Sequence, residues 1–299
     1  MMNRKPTIMI TDAGHFEVSY VINPWMTPDA WSKDREGYRQ KALAASNALK
    51  AALEAAGADV LKMDGAAGLP DMVFPANAGI VLDRRMLVAR FRYPERRGEE
   101  ELFLEFFRGL KARGLLDVVE QFPEGVFQEG AGDCIWDAGR GHFWAGFGQR
   151  SVRESIPVIE RFFAAPAVPL ELISERFYHL DVCFLPLSGG EVVYYPSAFS
   201  EAARDTIRAI VPPEQLIEAS DEDAAGFCVN AVNIGRNIVM ATPPARLKAV
   251  LAERGYTVLP VDLAPFMMSG GAAYCMTLRL DRAHETTSAA PVLAARAAS

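Results

Sequence analysis

The sequence predicts an α/β fold in which five strand-strand-helix-strand units close on themselves into a five-fold pseudo-symmetric propeller. Three observations predict it. One pattern, an apolar strand, a turn, a second apolar strand and an amphipathic helix, is written four times in tandem. The pieces of a fifth copy lie at the two ends of the chain, so that the ends must meet. The composition, 50% hydrophobic and 23% charged over 299 residues, suits one large core. An ordinary open α/β sheet is the alternative, and it would leave the regular spacing unexplained.

The elements follow in chain order. Residues 7–11 read as a strand and 38–56 as a long alanine-rich helix, with an extended segment at 59–63. The second unit has strands at 80–82 and 86–91 about the turn 83–85, a helix at 99–110 and an extended return at 117–122. The third has strands at 134–136 and 142–146, a helix at 152–163 and a return at 170–173. The fourth has strands at 182–187 and 191–195 about Ser188-Gly189-Gly190, then a helix at 201–210. The fifth has strands at 231–234 and 238–241, a helix at 245–254 and a return at 257–261, and a last strand at 274–280 completes the split unit. Closing the ring removes the open edge that a linear sheet would expose. Residues 1–281 are thus expected to form one domain, and 282–299, rich in Ala, Ser and Thr without periodicity, a frayed tail.

Charge and cysteine usage narrow the function. With 38 acidic against 31 basic residues the net charge is −7, which opposes binding to nucleic acid or an anionic membrane. The amino terminus is too short in apolar residues for a signal segment, and no stretch approaches a membrane span. Four dispersed cysteines without a CxxC pair suit reduced thiols in a cytoplasmic protein. Neither HxH nor HExxH spacing nor a Gly-rich phosphate loop occurs, so no metal and no cofactor are expected.

Five segments carry residues suited to chemistry. His179 and Asp181 stand two apart on a strand-like run, which puts an imidazole and a carboxylate on one face. Cys275 follows the small-residue loop Ser269-Gly270-Gly271-Ala272-Ala273-Tyr274 and needs a cation or histidine to become a thiolate, a part that falls to His179. Glu129 and Asp133 bracket a glycine turn that leads into a strand, a placement that suits a cation. Asn77 precedes a strand of the second unit, and Asn23 opens Asn23-Pro24-Trp25-Met26. Each has a plainer reading: a buried His-Asp pair, an inert thiol, an Asn turn. Cys134, Cys183 and Cys228 read as core thiols, and His15 and His142 as turn histidines.

Together these segments resemble the guanidino-group-modifying enzymes of the pentein fold, which include arginine deiminase, dimethylarginine dimethylaminohydrolase, amidinotransferases and arginine dihydrolase. The resemblance covers residues 7–281 and is carried by His179-x-Asp181, the Glu-Gly turn at Glu129 and Cys275 after its Gly-Gly loop. Residues 20–26, 77–79, 90–96 and 230–235 look most like the arginine dihydrolase branch. The resemblance implies a hydrolase of small guanidino substrates, free or methylated arginine, in which Cys275 forms a covalent thiouronium adduct. Glu129 and Asp181 would grip the guanidinium, and His179 would protonate the leaving amine and then activate water. Arg90 and Arg150 would meet the substrate carboxylate, with Asn23, Asn77 and Asp133 as further binding residues. Where deiminases and dimethylaminohydrolases carry an aspartate, this chain has Asn77, and a neutral ureido group then becomes acceptable, as in arginine dihydrolase. Dimethylarginine hydrolysis and amidino transfer are the alternatives, a non-catalytic five-bladed binding protein a further one, and a homo-oligomer is compatible with all of them.

Overall fold

The computed structural model of the chain describes residues 5–284. Its strands form five three-stranded sheets with one repeated topology. The first joins both ends of the chain: β1 (Thr7–Thr11) runs parallel to β2 (Asp59–Met63) and antiparallel to the last strand, β15 (Leu278–Arg279). In the second, β3 (Gly79–Leu82) pairs antiparallel with β4 (Arg85–Val88), which pairs parallel with β5 (Val118–Gln121). The third repeats this with β6 (Cys134–Asp137), β7 (His142–Phe147) and β8 (Ala167–Glu171). The fourth does so with β9 (Phe184–Pro186), β10 (Val192–Tyr194) and β11 (Leu216–Glu218). The fifth uses β12 (Val232–Ile234), β13 (Asn237–Met240) and β14 (Thr257–Pro260).

Each parallel return needs a crossover, and each crossover is a helix whose apolar face covers its sheet. The helix Arg35–Ala55 is capped by the Asp34 carboxylate on the N–H of Gly37 and buries Ala42, Ala45, Leu49 and Leu53. The helix Pro94–Ala112 begins five residues before the periodicity places it, because Pro94 at its first turn has the φ a helix start requires. It buries Phe103, Phe107 and Leu110.

Two expected strands are shorter than predicted, for one reason. Residues 180–182 form a 3-10 turn rather than strand, and Ala272–Thr277 is a run of turns, leaving only Leu278–Arg279 extended. In both places side chains from other repeats take the backbone groups that a ladder would use. Asp133 accepts the N–H of Leu180 at 3.0 Å, and Asn230 Oδ1 accepts those of Ala272 and Cys275 at 3.1 and 3.2 Å. The chain also stays in defined contact beyond residue 281. The N–H of His284 donates to Asp83 Oδ1 at 2.9 Å, and Asp83's own N–H reaches the carbonyl of Arg282 at 2.8 Å. Residues 285–299 of the expected tail lie outside the described residues. No described helix is long and apolar enough to cross a membrane.

Candidate active site

The repeat determines where the chemistry collects. Every unit places its singular residues just before the strand that pairs antiparallel with its neighbour: Asn77 before β3, Glu129 and Asp133 before β6, His179 and Asp181 before β9, Asn230 before β12 and Cys275 before β15. A ring of hydrogen bonds ties the five segments together. Asn77 Nδ2 donates to the carbonyl of Glu129 at 3.4 Å, and Asp133 receives Leu180. Asn230 Nδ2 donates to the carbonyl of Asp181 at 3.0 Å and lies 3.1 Å from the sulfur of Cys275. The N–H of Ala76 then donates to the carbonyl of Cys275 at 3.1 Å, which closes the circle. Gly130 (φ +62°) is required at the centre, since a Cβ there would stand 2.4 Å from the carbonyl oxygen of Ala76.

Around the thiol the geometry departs from expectation. The Sγ of Cys275 donates to Asp181 Oδ2 at 3.1 Å. His179, expected as its partner, instead places Nε2 2.8 Å from Glu129 Oε2 and 4.0 Å from Asp133 Oδ2. Burial, then the adjacent Asp181 charge, pushes the Cys275 thiol well above its usual range. Burial also raises Asp181 to about 7, against the pull of His179. The other Asp181 oxygen, Oδ1, is buried without a hydrogen-bond partner among the described residues, an arrangement that a bound donor would complete.

Glu129 behaves oppositely. Burial pushes its carboxyl up, but the guanidinium of Arg150 and the hydrogen bond with His179 outweigh that and hold it far below the usual range. Arg150 donates Nη1 to Glu129 Oε2 at 3.0 Å and Nη2 to the carbonyl of Ile22 at 3.0 Å. Its guanidinium lies 4.6 and 4.4 Å from the ring centroids of Tyr93 and Tyr178. Asp133 Oδ2 accepts from Ser151, whose hydroxyl also receives the N–H of Glu129. Asn23 closes the wall on the glycine-loop side, donating Nδ2 to the carbonyl of Ser269 at 3.0 Å. Arg90 is turned away: it pairs with Glu100 at 2.8 Å and donates Nε to the carbonyl of Phe122.

A second buried cluster adjoins the first through Asn77. Arg96 donates Nη1 to Asn77 Oδ1 at 2.8 Å and grips Glu99 with two bonds, Nε to Oε1 at 2.9 Å and Nη2 to Oε2 at 2.8 Å. Its Nη2 also reaches the carbonyl of Asp71. The Asp71 carboxylate receives the hydroxyls of Tyr20 and Ser269, and burial raises both Asp71 and Glu99, Glu99 to about 7. Asn230, Arg96, Glu99 and Asp71 are the residues that sequence reasoning missed. Arg96 and Glu99 carried a readable signal, since they share with Phe103 and Phe107 the apolar face of their helix. Asn230 opens the segment 230–235, whose resemblance to the arginine dihydrolase branch was the one signal it carried.

The balance of charge has a chemical meaning. Five buried carboxylates, those of Asp71, Glu99, Glu129, Asp133 and Asp181, face two arginines and one imidazole. A surplus of buried acid beside a thiol is a receptacle for a planar cation bearing several N–H groups. No cluster of metal ligands occurs among the described residues.

Comparison with known proteins agrees with this geometry. The family model for eukaryotic N,N dimethylarginine dimethylhydrolase matches residues 20–282. The bifunctional arginine dihydrolase/ornithine cyclodeaminase ArgZ of Synechocystis sp. is 40% identical over 91% of this chain, and the chain spans only 37% of that protein's length. The N(G),N(G)-dimethylarginine dimethylaminohydrolase of Mycobacterium tuberculosis is 33% identical over 91% of this chain and 84% of its own length. Among solved structures, the N-terminal domain of ArgZ, a cyanobacterial arginine dihydrolase bound to its substrate, superposes with a TM-score of 0.87 at 38% identity, covering 93% of this chain and 99% of that one. Five sheets of one topology, a convergent thiol, imidazole and carboxylate site, and similarity along nearly the whole chain show that this protein belongs to the dimethylarginine dimethylaminohydrolase family, of the pentein fold.

Proposed function

We propose that the chain is an arginine dihydrolase, converting arginine and two waters into ornithine, two ammonia and carbon dioxide. The observation that carries the reading is the neutral Asn77 amide, held by Arg96 beside the carboxylates that suit a guanidinium. An amide at this place favours a cationic guanidino group less than a carboxylate does, so a neutral ureido group also finds partners. The 40% identity to a bifunctional arginine dihydrolase supports the reading.

In this mechanism the substrate guanidinium donates to Asp181, through the unpartnered Oδ1, and lies against Cys275. Its positive charge offsets what keeps the thiol protonated in the free enzyme, so the thiolate forms where it is needed. Sulfur bonds to the guanidino carbon, His179, oriented by Glu129, gives a proton to the departing nitrogen, and ammonia leaves. Water activated by His179 then breaks the C–S bond, which yields citrulline. A second round on the retained ureido group, with one more water, releases ammonia and carbon dioxide and leaves ornithine. Arg150 holds Glu129 ionised and borders the substrate, with Asn23 and Asp133 completing the wall. The reaction would run in the cytoplasm, where the four free cysteines stay reduced, and the active unit is open to being a homo-oligomer.

The test is product stoichiometry. Incubated with arginine, the protein is expected to give two ammonia and one ornithine per substrate, with Cys275→Ser inactive. Accumulation of citrulline alone, or release of dimethylamine from dimethylarginine without turnover of arginine, would replace this reading with that of a deiminase or a dimethylaminohydrolase.

A further inference from the structure

A cavity of about 500 Å³ lies at the opposite end of the antiparallel edge strands from the catalytic segments. Chain direction shows this. Asp133, His179, Asn230 and Cys275 stand before β6, β9, β12 and β15, whereas the cavity is lined within and beyond those strands, by Ile135, Leu185, Val232 and Leu278. Ile135 and Val232 stand two residues beyond Asp133 and Asn230, a step of roughly 7 Å along extended chain. Ala131, between Glu129 and Asp133, and Tyr274, beside Cys275, also line the cavity, on its side toward the catalytic segments. The volume is that of a small-molecule site.

Its polar groups are unevenly committed. Asp137 is engaged by Arg140 at 2.8 Å and by the indole of Trp144 at 3.0 Å. Asp281 is engaged by Arg279 at 3.0 Å, and His284 by Asp83 at 2.5 Å. Arg282 lines the cavity too, and among the described residues its guanidinium makes neither a hydrogen bond nor an ion pair. Burial, and then the charge of Arg279, pulls its pKa below the usual arginine value, against the pull of Tyr274, Asp281 and Asp137. The indole N–H of Trp136, another lining residue, is likewise buried without a partner among the described residues.

We propose that this cavity is a second ligand site, distinct from the catalytic one, that takes a small organic carboxylate with an apolar body, its carboxylate on Arg282 and its chain among Ile135, Leu185, Val232 and Leu278. A guanidinium with free donors selects an anion, and aliphatic walls select its hydrocarbon part. The site does not depend on which guanidino substrate the enzyme turns over. Hexanoate is a suitable probe, with hexanamide as its neutral counterpart, read by calorimetric titration on the whole protein. Hexanoate is expected to bind saturably with one site per chain, at least ten-fold tighter than hexanamide. The Arg282→Gln variant is expected to lose at least ten-fold in affinity, while Cys275→Ala binds hexanoate as the wild type does, with or without saturating arginine. No saturable binding, equal binding of acid and amide, or displacement by arginine in the Cys275→Ala protein would each overturn the proposal.

Discussion

Asn230 holds Cys275 from both sides of its amide, donating Nδ2 to the sulfur at 3.1 Å and accepting the cysteine's own backbone N–H on Oδ1 at 3.2 Å. One side chain thus fixes the position of the thiol and, on the proposed mechanism, supplies a donor to its thiolate. Replacing it with Asp keeps the acceptor, removes the donor and adds a negative charge next to Asp181. We expect Asn230→Asp to lower kcat by at least 100-fold and to move alkylation of Cys275 by iodoacetamide to higher pH, since a like charge disfavours the thiolate. An unchanged alkylation profile would mean that the amide only supports the turn.

The raised Asp181 carboxyl ties stability to pH. Its folded-state value, about 7, lies above the 3.8 of an ordinary aspartate. Its contribution to stability is therefore intact below about pH 4 and is lost as pH rises through 7, a loss on the order of 1–4 kcal/mol. Asp181→Asn is expected to be inactive, to match the wild type in stability at pH 4 and to exceed it at pH 8 in urea denaturation. Glu129 has the opposite sign: its lowered pKa stabilises the fold above the ordinary carboxylate range and ceases to do so as pH falls.

On the proposed function, Asn77 sets how far the reaction goes. Asn77→Asp keeps an acceptor for Arg96 and gives up the donor to the carbonyl of Glu129. The added charge is expected to hold a guanidinium more strongly, by about 1–3 kcal/mol, and to do much less for a ureido group. Arginine turnover then ends largely at citrulline, which chromatography of the products would show.

Gly132 keeps two site residues apart. A Cβ at this position would stand 2.2 Å from Asn77 Nδ2 and 3.5 Å from His179 Nδ1. Gly132→Ala is expected to push the Asn77 amide aside, costing about 1–3 kcal/mol of stability and at least 100-fold in kcat. Full activity with an unchanged melting temperature would show that Asn77 has room to move.

The sequence by itself determined the architecture and most of the residues that gather in the candidate site. Repetition at a fixed interval, with complementary fragments at the two termini, left closure as the economical arrangement, because it pairs β15 with β1 and hides an edge. Residue types out of place in apolar or glycine-rich segments, namely His179, Asp181, Glu129, Asp133 and Cys275, all stand in the cluster. What only the tertiary structure decided is which group partners which. His179 pairs with Glu129 and not with Cys275, Arg90 turns to Glu100, and Arg96 takes the place beside Asn77. The physical reason is distance along the chain. The bonds that set these partnerships join residues 10 to 50 positions apart, and local periodicity does not name the partners. Bonds of the same kind shortened the strands expected at 182–187 and 274–280 to Phe184–Pro186 and Leu278–Arg279, since a carboxylate and an amide from other repeats claimed backbone N–H groups there that a neighbouring strand would otherwise have used.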